Sequence, residues 1–112
     1  MLILSLKLFK PVYNYGTLKK LIPNLNIQDE ISLYGHCYSI HAIIYHEGER
    51  ANSGHYTCGV KVNERWFMIS DNSIKSTQQI KLSYKQTDYS VPYILIYIQE
   101  KERDCLYTQF CE

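Results

Sequence analysis

The sequence predicts a strand-rich α+β fold, built mainly as an antiparallel β-meander with few short helices. Tyrosine is unusually frequent, at eleven of 112 residues, and it clusters with Ile, Leu and Val, a mixture that favours strands over helices. Several segments alternate apolar and polar residues with the period of two that half-buried strands show. Clusters of Pro, Gly and Asn separate these segments and favour turns.

The first third of the chain predicts one strand followed by irregular structure. Leu2–Phe9 is predicted as a half-buried strand because Leu4, Leu6 and Leu8 alternate with polar residues. Residues 10–35 contain several Pro, Gly and Asn, so we expect loops and short strands there.

The middle of the chain predicts a strand, a loop and a hairpin. Tyr38–Tyr45 has the pattern of a strand, and Glu47–Gly54 is a polar loop containing two glycines. His55–Val62 alternates between two faces and is predicted to turn at residues 63–64 into a strand over Trp66–Ser70. Asn favours this turn because it tolerates the left-handed backbone that tight hairpins need.

The last third predicts a helix and a buried strand. Ser76 is followed three residues later by Gln79, which indicates a capping box and a short helix around Thr77–Leu82. Tyr93–Ile98 is apolar on both faces, as expected of a central strand. Residues 99–112 are predicted to be a polar C-terminal tail.

Composition excludes several classes of function. The net charge of +1 gives no large field to attract nucleic acid or an anionic membrane. The apolar runs are too short to span a bilayer, and the first residues lack the basic start of a signal peptide. Four cysteines without a C-x-x-C pair indicate free thiols in an intracellular compartment, cytoplasmic or nuclear: Cys37, Cys58, Cys105 and Cys111.

His55 is the first candidate for chemistry because it follows Gly54 at the end of a polar loop, where another backbone could approach closely. A general base needs an orienting partner on its second ring nitrogen. A turn at residues 63–64 places position 55 roughly opposite position 72, so Ser70 and Asp71 are expected within reach. Two alternatives remain open: a histidine hydrogen-bonded at a strand end, and an ordinary Asp-Asn-Ser turn.

None of the four cysteines is predicted to be a nucleophile. Cys58 lies three residues beyond His55 on a strand and therefore projects to the opposite face. Cys37 has no following helix N-terminus to lower its pKa, and the other two cysteines lie in the tail. The histidines and cysteines between residues 36 and 58 match no zinc-ligand spacing, so neither a metal nor another cofactor is predicted.

Six segments, in order and in spacing, resemble the ubiquitin-specific protease family, which are papain-like cysteine proteases. The segments are Leu4–Phe9, Pro23–Ile27, Tyr38–Gly48, Ser53–Thr57, Trp66–Asp71 and Pro92–Tyr97. The resemblance implies that residues 1–98 are the C-terminal part of the catalytic domain, corresponding to the palm of the papain-like fold.

The resemblance also implies a reaction and residues for it. Ubiquitin-specific proteases cleave the bond after the C-terminal glycine of ubiquitin. By this likeness His55 is the general base and Ser70 takes the third triad position, with Asp71 beside it. Gly54 and Tyr56 would line the channel for the ubiquitin tail. His46 would support the site, and Glu47–Ser53 would be a loop that orders over the tail.

Three departures from the family pattern bear on activity. Ser70 stands where most of the family has Asp or Asn, so Asp71 is expected to supply the charge. Leu8 replaces the usual Arg. The cysteine box, with an asparagine two residues before the nucleophile, does not occur in these 112 residues, nor do the zinc-binding C-x-x-C pairs. We therefore expect no activity from this chain alone.

Three hypotheses follow from the sequence. The chain is part of a deubiquitinase, with ubiquitin or a ubiquitinated protein as its partner and another segment or chain supplying the N-terminal part. Alternatively, it is a non-catalytic remnant that binds ubiquitin or a protein partner. A third possibility is an unrelated β domain that matches by chance.

Overall fold

The computed structural model describes residues 1–7, 9–12, 17–20, 24–48, 54–85 and 88–99, with only the backbone described for 9–12 and 17–20. These residues contain eleven strands: β1 (Leu2–Ser5), β2 (Phe9–Val12), β3 (Thr17–Lys20), β4 (Leu25–Asn26), β5 (Glu30–Leu33), β6 (His36–Glu47), β7 (His55–Val62), β8 (Arg65–Ser70), β9 (Ser73–Thr77), β10 (Ser83–Tyr84) and β11 (Ser90–Gln99). None of the described residues forms a helix with the length and apolar character required to span a bilayer.

Seven strands form one antiparallel sheet in the order β1-β11-β6-β7-β8-β9, and β5 also pairs with β6. Two short antiparallel pairs, β10-β4 and β2-β3, lie outside it. The predicted strand-rich, antiparallel fold is therefore confirmed. Strands β6 to β9 follow one another as a meander, whereas β11 returns to the other side of β6.

The hairpin between β7 and β8 has the predicted turn. Val62 pairs with Arg65, and the two residues between them, Asn63 and Glu64, have φ of 51° and 63°. Both therefore adopt the left-handed conformation that matches the right-handed twist of adjacent strands. This turn fixes the register of the hairpin, which continues as far as the pairing of Cys58 with Ile69.

The main core lies largely on one face of the sheet. Strand β11 pairs with β1 on one side and with β6 on the other, which confirms its predicted central position. Ile43 is fully buried, and Trp66 from β8 is 4% exposed in the same apolar cluster. The hydroxyl of Tyr97 donates a hydrogen bond of 2.7 Å to the carbonyl of Gln28, which links β11 to the segment before β5.

The predicted helix around Thr77–Leu82 is wrong. Ser76 and Thr77 belong to β9, where they pair with Phe67 and Trp66 of β8. The Ser76 hydroxyl accepts a hydrogen bond from the Arg65 side chain instead of capping a helix. The ladder with β8 thus outweighs the local capping signal, and no helix is assigned to the residues that follow.

The first strand is shorter than predicted, because β1 ends at Ser5. The amide of Leu6 still donates a hydrogen bond of 2.9 Å to the carbonyl of Tyr93. Leu2 and Leu6 pack against the core, but Leu4 is 37% exposed. Several predictions fall outside the described residues: the environment of Leu8, most of the loop before Gly54, and the tail with Cys105 and Cys111.

Candidate functional site

The candidate site lies where β6, β7 and β8 end at the same margin of the sheet. Glu47 is the Cα partner of His55, and His46 is the partner of Tyr56. Directly opposed residues share a face, and successive residues alternate between faces. His55 therefore shares a face with Glu47, which we call the base face. Tyr56 and His46 share the other, which we call the tyrosine face.

The structure brings the three predicted catalytic residues together on the base face. His55 Nε2 lies 3.3 Å from Ser70 Oγ, in a hydrogen bond whose donor depends on the imidazole tautomer. The same nitrogen lies 3.7 Å from Asp71 Oδ2. Because the side chains of His55 and Asp71 are 43% and 78% exposed, solvent strongly screens the carboxylate from the imidazole. The hydroxyl is therefore the closer orienting group, and the carboxylate is an exposed charge beside it.

A tight turn holds Asp71 in this position. Ser70 pairs with Ser73, so Asp71 and Asn72 form the connection between β8 and β9. Asp71 has φ of 50°, in the left-handed region that Asp tolerates better than most residues. The Asp-Asn-Ser turn, which the sequence left open as an alternative, is thus present, and it presents the carboxylate to the imidazole.

The tyrosine face holds the other three predicted site residues. A Cβ on Gly54 would lie 2.0 Å from His46 Nε2, so a side chain at this position would collide with the buried imidazole. His46 is fully buried. Tyr56, 46% exposed, packs edge-on against the His46 ring, with centroids 5.0 Å apart. Gly54 and Tyr56 thus form a surface floor above a buried histidine.

Two residues near the site did not emerge from the sequence. Glu47 faces the same way as His55 across the β6–β7 ladder. Tyr93 completes an aromatic cluster, with its ring centroid 6.0 Å from that of Tyr56 and 6.5 Å from that of His46. If residues 48–54 are taken as the connection of a hairpin, Glu47 is expected opposite His55 and therefore on the same face. Tyr93 lies at a register shift between β11 and β6, which no local pattern indicates.

Neither described cysteine is placed to attack a bond beside His55. Cys58 lies on the tyrosine face, opposite Ile44, and burial raises the pKa of its thiol. It therefore has less thiolate character at neutral pH than an exposed cysteine has. Cys37 is exposed at the far end of β6. Among the residues the structure describes, no group of three or more His, Cys, Asp or Glu could hold a metal ion.

Comparison with known proteins identifies relatives of this arrangement. A mouse protein, ubiquitin carboxyl-terminal hydrolase 17-like protein B, is 29% identical over 66 residues, which is 58% of this chain and 13% of the relative. Ubiquitin carboxyl-terminal hydrolase 23 of Arabidopsis thaliana is 26% identical over 66 residues, again 58% of this chain but 7% of the relative.

Solved structures show the same fold. A Ubp8-Sgf11-Sgf73-Sus1 SAGA DUB module contains a chain 28% identical to this one, with a TM-score of 0.62. The match covers 88% of this chain and 24% of that one. A second structure of the Ubp8/Sgf11/Sus1/Sgf73 module has a TM-score of 0.69 at 24% identity, covering 88% of this chain and 23% of the other.

This chain therefore spans less than a quarter of each of these proteins. The profile of one family, described as ubiquitin carboxyl-terminal hydrolase, matches residues 1–97, which is most of the chain. Within those residues lie all but the last two residues of the sheet, the His55–Ser70–Asp71 group and the Gly54–Tyr56 surface. This chain belongs to the ubiquitin carboxyl-terminal hydrolase family.

Proposed function

We propose that this chain supplies the general base, His55, and its orienting groups to a deubiquitinating cysteine protease. Such an enzyme hydrolyses the bond after the C-terminal glycine of ubiquitin. The observation that carries the proposal is the approach of His55 Nε2 to Ser70 Oγ at 3.3 Å and to Asp71 Oδ2 at 3.7 Å. Family membership supports the reaction class, and this geometry supports the role of each residue.

In this proposal the two ring nitrogens of His55 have different tasks. When Nε2 carries the proton and donates a hydrogen bond to Ser70 Oγ, Nδ1 keeps a lone pair that accepts a proton from a thiol. The thiolate then attacks the carbonyl carbon, and the imidazolium returns that proton to the departing amine. The Asp71 carboxylate stabilises the imidazolium, although solvent weakens the effect at this exposed position.

The nucleophile and the oxyanion donors come, in this proposal, from a segment outside these 112 residues. No asparagine stands two residues before any of the four cysteines. The described cysteines are also unsuited to attack, because Cys58 faces away from His55 and Cys37 lies at the other end of β6. The missing segment belongs either to the same protein or to a partner chain.

The tyrosine face provides the surface for the ubiquitin tail. Gly54 has no side chain, so its backbone packs directly onto the buried His46, and Tyr56 offers a half-exposed ring next to it. An aromatic ring with a polar tip can pack against a peptide and also hydrogen-bond to it. His46 lies beneath Gly54 and holds the Tyr56 ring by an edge-on contact. We assign His46 a supporting role.

The first test measures cleavage of a fluorogenic amide at the ubiquitin C-terminus, using the protein that carries this chain together with its cysteine segment. His55→Ala should lower kcat about 10²- to 10⁴-fold, the usual contribution of general acid–base catalysis. The matched control is His36→Ala, which removes an exposed histidine at the other end of β6 and should leave kcat unchanged. The 112-residue chain alone should not hydrolyse the amide.

Two results would contradict this assignment. If His55→Ala retains the kcat of the unmodified protein, His55 is not the general base. Hydrolysis by the 112-residue chain that depends on His55 would mean that one of its own cysteines is the nucleophile.

A second function is binding of ubiquitin without catalysis. It is favoured because Cys58 faces away from His55 and so cannot act as its nucleophile, and because the ring of Tyr56 is exposed. This function requires only the tyrosine face. Titration of isotope-labelled ubiquitin with the 112-residue chain should then shift the tail resonances, and Tyr56→Ala should abolish the shift. Absence of a shift at millimolar protein would exclude binding by this chain, and full activity in the larger protein would exclude a purely non-catalytic role.

A further inference from the structure

Strand β9 forms one margin of the main sheet, where it pairs with β8 alone among the described strands. Four of its five residues are exposed, and Ile74, on the tyrosine face, is 68% exposed. The outer side of an edge strand presents backbone N–H and C=O groups that the sheet does not use, and extended peptides bind to such groups as added strands. The edge of β9 is therefore a candidate binding surface.

The register of the β8–β9 hairpin determines which backbone groups face outward. Ser70 pairs with Ser73 across a two-residue turn, and the closing pair of such a hairpin exchanges both of its backbone hydrogen bonds. Hydrogen-bonded and non-hydrogen-bonded pairs alternate along an antiparallel ladder, so the backbone of Lys75 also bonds to β8. Ile74 and Ser76 consequently direct their backbone groups to the free edge. Each of these two residues offers an added strand one donor and one acceptor.

The side chains at this edge carry positive charge on both faces of the sheet. Lys75 is exposed on the base face. Arg65 is exposed on the tyrosine face, where its Nε–H donates a hydrogen bond to the hydroxyl of Ser76 on β9. A guanidinium has further N–H donors whose geometry matches a carboxylate. The charge of the edge therefore favours an acidic partner strand.

The carboxylates in the two turns next to this edge each have a basic group beside them. Asp71 Oδ2 lies 3.7 Å from His55 Nε2, in the turn between β8 and β9. Glu64 Oε2 lies 3.3 Å from Lys61 Nζ, in the turn before β8. Neither ion pair includes Lys75, so an acidic side chain on an added strand has a cation to meet.

A second copy of this chain is a poor partner for the edge, although its β9 has the same length. The antiparallel register that uses all the outward-facing groups places Ile74 of one copy opposite Ser76 of the other. Lys75 then lies opposite Lys75 of the second copy in a non-hydrogen-bonded pair, where the side chains come closest. Like charges directly opposite each other destabilise an antiparallel pair. Lys75 thus disfavours self-pairing, as lysines on edge strands commonly do.

We propose that β9 binds an extended segment of a partner protein as an added antiparallel strand, with an acidic residue opposite Lys75 and an apolar residue opposite Ile74. The acidic residue replaces repulsion by attraction, and the apolar residue covers the exposed side chain of Ile74. Backbone hydrogen bonds to Ile74 and Ser76 supply affinity, and the two side-chain positions supply selectivity. This binding requires β9 but not His55, so it is independent of the proposed function.

The test uses the 112-residue chain and its Lys75→Glu variant, which supplies an edge of opposite charge on the same scaffold. In an equimolar mixture, Lys75 of one chain faces the introduced carboxylate of the other. The mixture should have a dissociation constant about tenfold lower than that of either protein alone, because one like-charge pair becomes an opposite-charge pair. Sedimentation equilibrium measures the three constants. Equal dissociation constants in the mixture and in the separate proteins would overturn the proposal.

Hydrogen exchange and NMR locate the contact. The amides of Ile74 and Ser76 should become protected in the mixture, whereas the amide of Lys75, which already bonds to β8, should change little. An intermolecular NOE should join the α-protons at position 75 of the two chains, because non-hydrogen-bonded pairs bring their Cα atoms to about 4.5 Å. Association that leaves Ile74 and Ser76 unprotected would mean that the chains meet at another surface, and the proposal would be wrong.

Two further variants control for net charge and for the integrity of β9. Lys7→Glu makes the same change of charge on an exposed lysine that follows β1, at the opposite margin of the sheet. Its mixture with the unmodified chain should associate no more tightly than the unmodified chain alone. Lys75→Gln removes the repulsion without adding attraction, so it should self-associate more tightly than the unmodified chain and less tightly than the Lys75→Glu mixture. Equal strengthening by Lys7→Glu and Lys75→Glu would attribute the effect to net charge and contradict a role for β9.

Discussion

At the scale of single residues, two glycines are required for different physical reasons. Gly35 has φ of 78° and follows Tyr34, with φ of 51°, in the turn between β5 and β6. A Cβ there would meet no atom within 4 Å, so only the backbone conformation favours glycine. At Gly54 the reason is space, since a Cβ would lie 2.6 Å from the Glu47 carbonyl oxygen and closer still to His46.

Gly54→Ala is therefore expected to disturb the tyrosine face. The methyl group must displace the buried His46 ring, at a cost of about 1–3 kcal/mol in unfolding free energy, as overpacked sites show. The Tyr56 ring rests on His46, so its resonances should shift and the ubiquitin binding that we propose for this face should weaken. Urea unfolding and NMR spectra of the two variants measure both effects.

The control for this prediction is Gly35→Ala. It should cost about 1 kcal/mol through the left-handed backbone conformation while leaving the rings of His46 and Tyr56 unchanged. Unchanged ring resonances in Gly54→Ala would mean that the close packing above His46 is not required.

The sequence predicted some site residues better than others because only some depend on a short turn. Asn63 and its neighbour determine the register of β7 and β8, so counting along the strands was enough to bring Ser70 and Asp71 to His55. Glu47 depends on the register across the longer 48–54 connection. Tyr93 depends on a register shift in β11, set by tertiary packing.

At the scale of elements, the segment after β9 shows where a local signal fails. A capping box is worth about as much as one or two hydrogen bonds, whereas pairing with β8 provides several backbone hydrogen bonds and side-chain contacts. Thr77 accordingly donates its hydroxyl hydrogen bond to the Gln79 carbonyl at 3.0 Å, at the end of the strand. The chain then leads into β10 with the structure of a loop.

Asp88 is hydrogen-bonded to residues on both sides of β10. Its carboxylate accepts a hydrogen bond of 2.7 Å from the amide of Lys85 and one of 3.0 Å from the Lys81 ammonium. The backbone hydrogen bond from Lys85 is the main cause that lowers the pKa of Asp88, and Lys81 lowers it further. The folded state thus favours the ionised carboxylate.

Asp88→Asn is expected to lower stability at pH 7 and to have a smaller effect at pH 3. A pKa that is lower in the folded state adds stability above the unfolded value, about 3.9 for Asp, and that stability disappears as pH falls through the folded value. Thermal unfolding at the two pH values measures the difference. Lys81→Met should show part of the same pH-dependent loss of stability, because Lys81 is the second cause of the lowered pKa of Asp88. An equal loss at both pH values would contradict the linkage.

At the scale of the whole molecule, β6 organises the sheet. It pairs with β11 along one edge, and β5 and β7 share its other edge. The sequence indicated that β11 is buried, because its residues are apolar on both faces, but not which strands flank it. Pairing across some fifty residues is decided by the overall arrangement, since no short turn fixes it.

Substitutions at the centre and at the edge of the sheet should therefore differ sharply in cost. Ile43, in the middle of β6, is fully buried, whereas Ile74, on the edge strand β9, is 68% exposed. Ile43→Ala should lower the free energy of unfolding by about 2–5 kcal/mol, because it removes buried methyl groups and leaves a cavity. Ile74→Ala should change it by less than about 0.5 kcal/mol.

Urea unfolding measures the two free energies, and amide hydrogen exchange locates the effect within the sheet. Amides of β6 near Ile43 should exchange only through global unfolding, so Ile43→Ala should accelerate them strongly. Amides of β9 near Ile74 should exchange through local opening of the edge and respond little to either substitution. If both substitutions cost the same, or if β6 exchanges as fast as β9, then β6 is not the centre of cooperative stability. The strand that carries residues of both faces would then not be rigid. Some other element would have to hold His55 at its distance from Gly54 and Ser70.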